Sequence, residues 1–312
     1  MKNHDNTPTS HNIIMKKTAI ILSLAIAVLS GCAKKASDVH LVIIGMDGWG
    51  SYCMDKADMP NVRSLMEEGA YTLEKRSMLP SHSATNWASM FNGVGAQVHG
   101  FTKCCSPKAD IEPLYVNEYD IYPNVFRALR EQKPDAHIGV VYDWDGLAAV
   151  LDTLAFDFRY LSPGGVAGMD DATAKAAAYM KETKPDLMFV YYGETDHVGH
   201  TAGHDTPEYY QACSMMDGYV GKVIQAVKDA GMYDNTVFLL TSDHGGVGKG
   251  HGGINPLELN TPFILCGKGI AHKGDIGRAC VQVDQAPTIA KILGIKLSDD
   301  IWGHCIDDFF AK

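Results

Sequence analysis

The sequence predicts an α/β fold: a single three-layer α/β/α domain with a mainly parallel central sheet. Apolar or β-branched runs alternate with helical segments along most of the chain, which is typical of a parallel sheet covered by helices on both faces. Several of these runs end directly in aspartate or histidine, and sites in open α/β sheets form at the carboxyl ends of strands. The composition, 46% hydrophobic and 21% charged over 312 residues, is that of an ordinary globular protein.

Short apolar runs that stop at polar or glycine residues define the predicted strands. The clearest is residues 237–241, because Val237 to Leu240 are all apolar and the run is followed by Asp243-His244. Strands buried on both faces are expected to read as continuous apolar runs of this kind. In chain order, the predicted strands cover residues 39–46, 71–78, 137–142, 186–192, 237–241 and 262–266.

Helical periodicity and helix-end signals define the segments between the strands. Val62, Leu65 and Met66 recur at helical spacing and are followed by Gly69, a common residue at the end of a helix. Pro207 suits the first turn of a long helix. In chain order, the predicted helices cover residues 60–68, 83–91, 124–130, 170–182, 207–229 and 286–293, and residues 95–113 are predicted to be rich in loop.

The amino-terminal segment predicts export and lipid anchoring. Two lysines after Met15 precede an apolar run at residues 18–29, which is typical of a secretory signal and too short to favour a membrane span. Residues 29–32 read LSGC, which resembles a bacterial lipobox and predicts acylation of Cys32 after cleavage. The alternative is an ordinary signal peptide followed by a chance cysteine.

These features predict three parts: a leader and lipoprotein signal peptide at residues 1–31, a tether at residues 32–38, and a catalytic domain at residues 39–312. We expect the protein to be lipid-anchored in the bacterial cell envelope, at the outer membrane and facing the periplasm. The absence of an aspartate after Cys32 favours the outer membrane over the inner one.

Charge and cysteine content narrow the classes of partner. Leaving out the three lysines and one aspartate before Cys32, the 27 basic and 37 acidic residues become 24 and 36, a formal charge of −12. This charge disfavours a nucleic-acid polymer but permits a small phosphate ester, because a bound metal can reverse the local field. No CxxC pair is present, which disfavours a structural zinc ribbon. Cys104-Cys105 could form an external disulfide or line the site.

Three aspartates and three histidines at or beyond strand ends form a predicted metal site. Glycines between residues 245 and 253 let the backbone wrap around this site and return a histidine to it. A mixture of imidazole and carboxylate ligands suits zinc better than magnesium or calcium. Two sets of three ligands could hold two metals that bracket an in-line displacement. The candidate ligands are Asp47, Asp196, His200, Asp243, His244 and His251.

Ser83 could supply the attacking hydroxyl, and a helix that begins there would favour an anionic group at its positive end. A serine at this position is by itself more often a helix cap, and each aspartate could also be one. Helix caps do not explain three aspartates that all have partnered histidines, which favours a metal site.

The motifs occur in the order found in the alkaline phosphatase superfamily, and the chain most resembles its type I phosphodiesterase/nucleotide pyrophosphatase branch. The resemblance covers about residues 39–309. It rests on Asp47-Gly48, the sequence PSHS at residues 80–83 with Asn86, His99-Gly100, TDHVGH at residues 195–200, SDHG at residues 242–245 and DQAPT at residues 284–288.

This resemblance implies two Zn²⁺ per chain, each bound by three residues, and a serine nucleophile at Ser83, where the branch has threonine. One metal would be held by Asp196, His200 and His251, and the other by Asp47, Asp243 and His244. The branch's phosphate-contacting asparagine after the His-Gly motif is absent, since residues 102–105 read TKCC. The chain also has little room for a large cap domain.

Two further residues are predicted to bind substrate. Asn86 could contact phosphate or make hydrogen bonds within its helix, and the sequence does not separate these alternatives. Lys249 could neutralise phosphate or be a solvated loop lysine. Tryptophans 49, 87 and 144 could frame a leaving-group pocket or pack in the core.

The predicted function is metal-dependent hydrolysis of a small phosphoric ester through a phosphorylated Ser83, by a phosphodiesterase, pyrophosphatase or phosphomonoesterase. One alternative is a sulfatase-like hydrolase, although residues 83–87, SATNW, lack the proline and arginine of the sulfatase formylglycine motif. The other is a non-catalytic surface-binding lipoprotein, which a zinc assay would distinguish. The sequence does not determine the oligomeric state.

Overall fold

The structure, a computed structural model, describes Met1 and residues 39–312. The predictions for the rest of the leader, for Cys32 and for the tether therefore concern residues outside the described range. Across residues 39–312, nine strands form one sheet. They are β1 (His40–Met46), β2 (Ala70–Arg76), β3 (Ile138–Tyr142), β4 (Phe158–Leu161), β5 (Leu187–Tyr192), β6 (Thr236–Thr241), β7 (Asn260–Gly267), β8 (Gly274–Asp275) and β9 (Cys280–Val281).

The sheet has the order β4-β3-β5-β1-β6-β7-β2-β8, and β9 also pairs with β2. The five strands from β4 to β6 are parallel to one another. Strand β7 runs antiparallel to both β6 and β2. The sheet is therefore mainly parallel, as the sequence predicts, and β1 lies between β5 and β6.

The helices that cover the sheet also agree closely with the predicted segments. The helices predicted at residues 60–68 and 207–229 have the observed bounds, and four others differ by one to five residues at an end. The helices are α1 (Pro60–Glu68), α2 (Ser83–Asn92), α3 (Ala96–His99), α4 (Val125–Gln132), α5 (Leu147–Val150), α6 (Gly165–Thr183), α7 (Glu194–Thr201), α8 (Pro207–Asp229), α9 (Pro256–Leu259) and α10 (Gln285–Leu293).

Each face of the sheet packs into its own hydrophobic core. Successive side chains of a strand point to opposite faces, so Leu41 and Ile43 join one core while Val42 and Ile44 join the other. Helices α2, α4 and α10 cover the first core, and α1, α6 and α8 cover the second. This burial on both faces explains why the central strands are continuously apolar.

The structure corrects several predicted elements. Strand β2 ends at Arg76 rather than residue 78, because the backbone of Met78 leaves the sheet and bonds the side chain of Asn86. The segment at residues 95–113, predicted to be rich in loop, also contains the four-residue helix α3. Residues 194–196, which directly follow the strand predicted at residues 186–192, form the first turn of α7, where acidic side chains are favoured by the positive helix end.

Strands β4, β8 and β9 are short edge strands that the sequence pattern did not reveal. Their two to four residues give too few positions for an alternation of apolar and polar side chains to be recognised. Within residues 39–312, no helix combines the length and apolar character needed to cross a membrane.

Candidate active site

The predicted ligands meet because three neighbouring strands are parallel. Met46 pairs with Tyr192, and Gly45 pairs with Thr241, so β1, β5 and β6 end at the same edge of the sheet. Asp47 follows β1, Asp196 lies just beyond β5, and Asp243 lies just beyond β6. Strand order thus gathers side chains that are up to 196 positions apart in the sequence.

Two glycines allow the backbone to approach the site closely. Gly48 has φ 68°, and a Cβ there would lie 2.9 Å from the backbone of Asp196. Gly252 has φ 109°, and a Cβ there would lie 2.3 Å from the ring of His82. Both positions adjoin predicted ligands, Asp47 and His251, so each glycine lets its neighbour reach the site.

The first group of candidate ligands, here called the outer group, consists of Asp196, His200 and His251. Each presents a ligand atom within 4.8 Å of the other two. Asp196 and His200 are four residues apart on α7 and therefore share a helix face, with Oδ2 and Nε2 3.3 Å apart. The glycine loop returns His251, whose Nε2 lies 3.1 Å from Nε2 of His200.

The second group, here called the inner group, consists of Asp47, Asp243 and His244. His244 Nε2 lies 3.1 Å from Oδ2 of Asp243 and 3.5 Å from Oδ1 of Asp47. Asp196 also comes within 4.8 Å of Asp47 and His244, so it lies between the two groups. The structure therefore brings together all six residues predicted from the sequence.

Backbone carbonyls orient all three histidine rings in the same way. Nδ1 of His200 bonds the carbonyl of Lys249, Nδ1 of His244 bonds that of Gly245, and Nδ1 of His251 bonds that of Ser81, all at 2.8–2.9 Å. A carbonyl only accepts, so each Nδ1 carries a proton, and a ring that is neutral presents its Nε2 lone pair to the site. This is the tautomer and the kind of ring anchoring found in histidine metal ligands.

The donor set fits metal ions on a second ground, the lack of hydrogen-bond partners for two of its buried oxygens. Among residues 39–312, neither Asp196 Oδ1 nor Asp243 Oδ2 has a hydrogen-bond partner although both atoms are buried. Burial raises the pKa of Asp47 well above its ordinary value, and the charges of Asp243 and Asp196 raise it further. Burial also raises the pKa of Asp243. Cations between these carboxylates would give the unpartnered oxygens a ligand and would offset the repulsion between the buried negative charges.

The outer group has the opposite electrostatic balance. Burial acts to raise the pKa of Asp196, but its bond with His200 and the charges of the nearby histidines outweigh this and lower it to about 2. The same bond raises the pKa of His200 to about 9. Burial lowers the pKa of His251 to about 3, and the charge of His244 acts in the same direction. Carboxylate and imidazole thus already compensate one another in this group.

Ser83 lies against the inner group. Its Oγ is 3.0 Å from Nε2 of His244 and 3.5 Å from Oδ1 of Asp47. It is the first residue of α2, after the helix cap His82, so its hydroxyl is at the positive end of that helix. The sequence left a capping role open for Ser83, and the structure assigns the cap position to its neighbour.

A cavity of about 600 Å³ opens above Ser83, Asp47 and Asp196. Cys104 and Cys105 line it, with their Sγ atoms 2.8 Å apart, which agrees with the alternative that this pair lines the site. Of the three tryptophans considered, Trp144 lines the cavity while Trp49 and Trp87 are fully buried. Trp144 alone therefore has the placement of a pocket wall.

Neither predicted substrate-binding residue reaches this cavity. Asn86 is fully buried; its amide accepts from the Met78 nitrogen and donates to the carbonyls of Met78 and His82. These contacts stabilise the turn before Ser83, so Asn86 acts as a hydrogen-bonding structural residue and not as a contact in the cavity. Lys249 donates to the Thr201 carbonyl at the end of α7. Both side chains stabilise segments that carry site residues.

Several residues that support the inner group were missed from the sequence. Tyr191 and Trp87 both donate to Oδ2 of Asp47, at 2.6 and 2.9 Å, which leaves Oδ1 facing Ser83. Lys75 is fully buried, and its ammonium donates to Thr241 Oγ1 and Gln282 Oε1 at 2.9 and 2.6 Å. Burial lowers the pKa of Lys75 to about 7. A lysine in an alternating strand segment gives no sequence signal for such a role.

Comparison with known proteins identifies a family. The sequence profile of the type I phosphodiesterase/nucleotide pyrophosphatase family matches residues 41–254. The solved structure of murine ectonucleotide pyrophosphatase/phosphodiesterase 5 superposes with a TM-score of 0.69 at 16% identity, covering 87% of this chain and 100% of that one. The fold is therefore that of the alkaline phosphatase superfamily.

Three curated relatives match parts of the chain. A 2,3-bisphosphoglycerate-independent phosphoglycerate mutase of Psychromonas ingrahamii is 32% identical over 43% of this chain and 25% of its own length. Arylsulfatase K of Danio rerio is 28% identical over 36% of this chain and 24% of its own. The bis(5'-adenosyl)-triphosphatase ENPP4 of Bos taurus is 20% identical over 72% of this chain and 52% of its own. The chain thus spans about a quarter to a half of these relatives.

Proposed function

The chain belongs to the type I phosphodiesterase/nucleotide pyrophosphatase family, and on this premise we propose that it hydrolyses phosphate esters with Ser83 as the nucleophile. The observation that carries the proposal is the position of the Ser83 hydroxyl. It lies at the base of a cavity, at a helix amino terminus, and within 3.0–3.5 Å of two candidate metal ligands.

We assign the six gathered side chains to two zinc ions, one for the inner group and one for the outer group. When bound, the metals would lower the pKa of the attacking hydroxyl and neutralise charge on the phosphoryl oxygens. The mixed imidazole and carboxylate donors favour zinc over calcium or magnesium. Both the metal identity and the number of two are part of the proposal.

The protein's own groups position the reaction. Trp87 and Tyr191 hold one oxygen of Asp47, which keeps the other directed toward Ser83. The Ser83 hydroxyl loses its proton as its oxygen attacks phosphorus, the bond to the leaving oxygen breaks on the opposite side, and that oxygen takes up a proton and departs as an alcohol. The phosphoryl group is then esterified to Ser83. Water then attacks the same phosphorus, the serine oxygen leaves, and inorganic phosphate or a phosphate monoester is released.

Hydrolysis assays on the full chain purified in detergent test this proposal. Nitrophenyl phosphate monoesters, diesters and a nitrophenyl sulfate would be compared after zinc loading and after chelation. We expect zinc-dependent cleavage of a phosphate ester, and acid quenching should trap phosphate on Ser83. Cleavage of the sulfate alone would instead support the sulfatase alternative, and zinc binding without any cleavage would support the non-catalytic one.

We also propose that Cys32 anchors the protein by a lipid at the outer membrane, facing the periplasm. The support is the lipobox-like sequence at residues 29–32, directly after an apolar signal-like run. Cys32→Ser should move the protein from the membrane fraction to the soluble fraction. A wild-type protein with an amino terminus other than Cys32, found in the soluble fraction, would contradict this assignment.

A further inference from the structure

Two buried cysteines that the proposed function does not use lie against each other. Cys53 belongs to a short 3₁₀ helix, Ser51–Asp55, in the segment that follows Asp47. Cys213 belongs to α8, 160 positions further along the chain, and its Sγ lies 3.3 Å from that of Cys53. Both side chains are fully buried in the core that α1, α6 and α8 cover. The contact therefore joins two parts of the chain that are far apart in the sequence.

Helix α8 holds the same segment at two further points, one on each side of the thiols. Tyr209, Cys213 and Asp217 follow one another at intervals of four residues and therefore lie on one face of the helix. The Tyr209 hydroxyl donates to the carbonyl of Gly48. The Asp217 carboxylate accepts from the backbone N–H of Val62, in the first turn of α1, at 2.7 Å. These two bonds keep the helix and the segment together, so the sulfurs between them stay close.

The position of the two sulfurs suits a covalent bond. An S–S bond is about 2.05 Å long, so the two sulfurs need to approach by about 1.3 Å from their separation of 3.3 Å. Two thiols in a core gain only a weak S–H contact, whereas a bond across 160 positions removes much conformational freedom from the unfolded chain. Export, which the amino-terminal sequence predicts, would place the protein in an oxidising compartment, where disulfides persist.

We propose that Cys53 and Cys213 form a disulfide bond, which links the segment that follows Asp47 to helix α8. The oxidant is a protein or small-molecule disulfide, and the bond forms by exchange. The thiolate of one cysteine attacks a sulfur of the oxidant and expels the other sulfur as a thiolate. The thiolate of the second cysteine then attacks the mixed disulfide and expels the remaining sulfur. The chain loses two electrons and two protons, and the oxidant becomes a dithiol or two thiols.

The bond is expected to form before the core closes. Burial raises the pKa of the Cys213 thiol, which makes it a poor nucleophile in the folded protein. Exchange therefore requires an open state, either during folding or in a transient opening of the folded chain. This inference does not depend on the proposed function, because it concerns the link between two elements and not the reaction.

Peptide mapping tests the inference directly. Cys53 and Cys213 are each the only cysteine of their tryptic peptides, residues 36–56 and 182–222. The purified full chain would be equilibrated with oxidised and reduced glutathione in urea just below its unfolding transition, where transient opening admits the reagent. It would then be fully unfolded, alkylated with iodoacetamide and digested without reductant. We expect the two peptides to be joined, with a mass two hydrogens below their sum. Recovery of both peptides as alkylated, separate species would overturn the inference.

Cys266 is the internal control for this map, because it is buried in the same core. Its peptide should be recovered alkylated from the same sample. A bond from Cys53 or Cys213 to the Cys266 peptide, in place of the bond between the first two, would contradict the assigned pairing.

Unfolding by urea tests whether the bond stabilises the fold. Reduction of the oxidised wild type should lower its midpoint by about 1 M urea, because the unfolded chain regains the freedom of a long loop. The double variant Cys53→Ala/Cys213→Ala should show no such shift. Cys266→Ala, which loses a sulfur from the same core, should show the full shift. A shift that is absent in the wild type, or that persists in the double variant, would contradict the link between the segment and α8.

Discussion

The inner and outer ligand groups lie side by side but have different surroundings. Side chains of the inner group, Asp47, Asp243 and His244, are at most 2% exposed. In the outer group, the Asp196 side chain is 19% exposed and that of His200 is 43% exposed, whereas that of His251 is only 3% exposed. The inner carboxylates have raised pKa values because of burial, whereas Asp196 has a lowered pKa because histidines compensate it.

This difference indicates a division of roles within one site. The inner group is held by residues of the core, such as Trp87 and Lys75, and it contacts the proposed nucleophile. Without a cation it contains buried carboxylates whose charges lack compensation, so we expect its stability to depend on a bound metal. The outer group is built on a helix and a glycine loop at the cavity, where solvent and substrate have access, and its own charges compensate one another.

The largest expected effect concerns the proposed nucleophile, Ser83, whose hydroxyl contacts Asp47 and His244 of the inner group. Ser83→Ala should lower kcat by several orders of magnitude, because the covalent step is lost while all six ligands remain. Ser83→Thr should keep measurable activity, because it retains the hydroxyl and adds only a methyl group. Zinc content by elemental analysis should be the same in both variants and in the wild type.

A direct displacement by water would give a different pattern. Ser83→Ala would then lose only a modest factor, and no phosphoserine would be trapped. The configuration at phosphorus, followed with a chiral isotopic substrate, would be inverted rather than retained. That result would remove Ser83 from the mechanism without affecting the comparison of the two ligand groups.

The second prediction concerns the stability of the metal-free protein. Removing a charged member of the inner group should raise the free energy of unfolding, whereas removing one from the outer group should lower it. Asp243→Asn should raise the free energy of unfolding by about 1–3 kcal/mol, because a buried charge with an unpartnered oxygen becomes neutral. His200→Gln should lower it, because the bond with Asp196 is lost. Denaturant unfolding in the presence of chelator measures both.

Both variants should also lose most of the zinc-dependent activity, since each lacks one proposed ligand. A lower stability of metal-free Asp243→Asn would show that the inner group is compensated by something other than a metal. A higher stability of metal-free His200→Gln would show that the outer pair is not stabilising. Full activity in either variant would remove that residue from the ligand set.

The third prediction tests whether the buried lysine supports only the inner group. Lys75→Met should weaken the binding of one metal by about 10- to 100-fold, because its ammonium holds the end of β6 through Thr241 and Ser242. Titration with cobalt, followed by absorbance, should show one weakened and one unchanged site. Lys249→Met is the matched variant at the outer group, where only a bond to a carbonyl is lost.

Weaker binding of both metals in Lys75→Met would show that the two ligand groups are coupled through the sheet and not independent. A larger effect of Lys249→Met than of Lys75→Met would reverse the comparison.

The smallest expected effect is a pH dependence of the metal-free outer group. The pKa of His200 is raised to about 9, so its stabilising effect is complete below the unfolded value near 6.5 and is lost as pH rises through 9. The pKa of Asp196 is lowered to about 2, so its effect is complete above about 4 and is lost as pH falls through 2. Between about pH 4 and 6.5 both effects are complete.

Unfolding with denaturant at pH 5.5 and pH 10 would therefore compare metal-free wild type with His200→Gln. The free energy of unfolding of the wild type should exceed that of His200→Gln by more at pH 5.5 than at pH 10. His197→Gln, a change at an exposed histidine on the same helix, controls for loss of an imidazole. An advantage that is equal at both values would mean that the pair with Asp196 does not form in solution.

Local sequence features were enough to predict much of the site. An apolar run shows a buried strand, and the polar residue that ends it must lie at the edge of the sheet, as Asp47 and Asp243 do. The TDHVGH motif identified Asp196 and His200, although it did not show that they share a helix. That these six residues bind metal stays a prediction, but their assembly at one place is a feature of the fold.

What the sequence by itself determined was the alternation of strands and helices and the family motifs, because both depend on neighbouring residues. The tertiary structure decided which side chains face one another across the sheet. Lys75 donates hydrogen bonds to Thr241 and Gln282, which lie 166 and 207 positions away in the sequence. The structure also shows that the side chain of Asn86 bonds the backbone of Met78 and so stabilises a turn. Asp143 and Glu194 became walls of one cavity because β3 pairs with β5. Such contacts depend on the order of the strands in the sheet, which is decided by packing between residues far apart in the sequence. A local sequence pattern depends only on neighbouring residues and therefore does not predict that order.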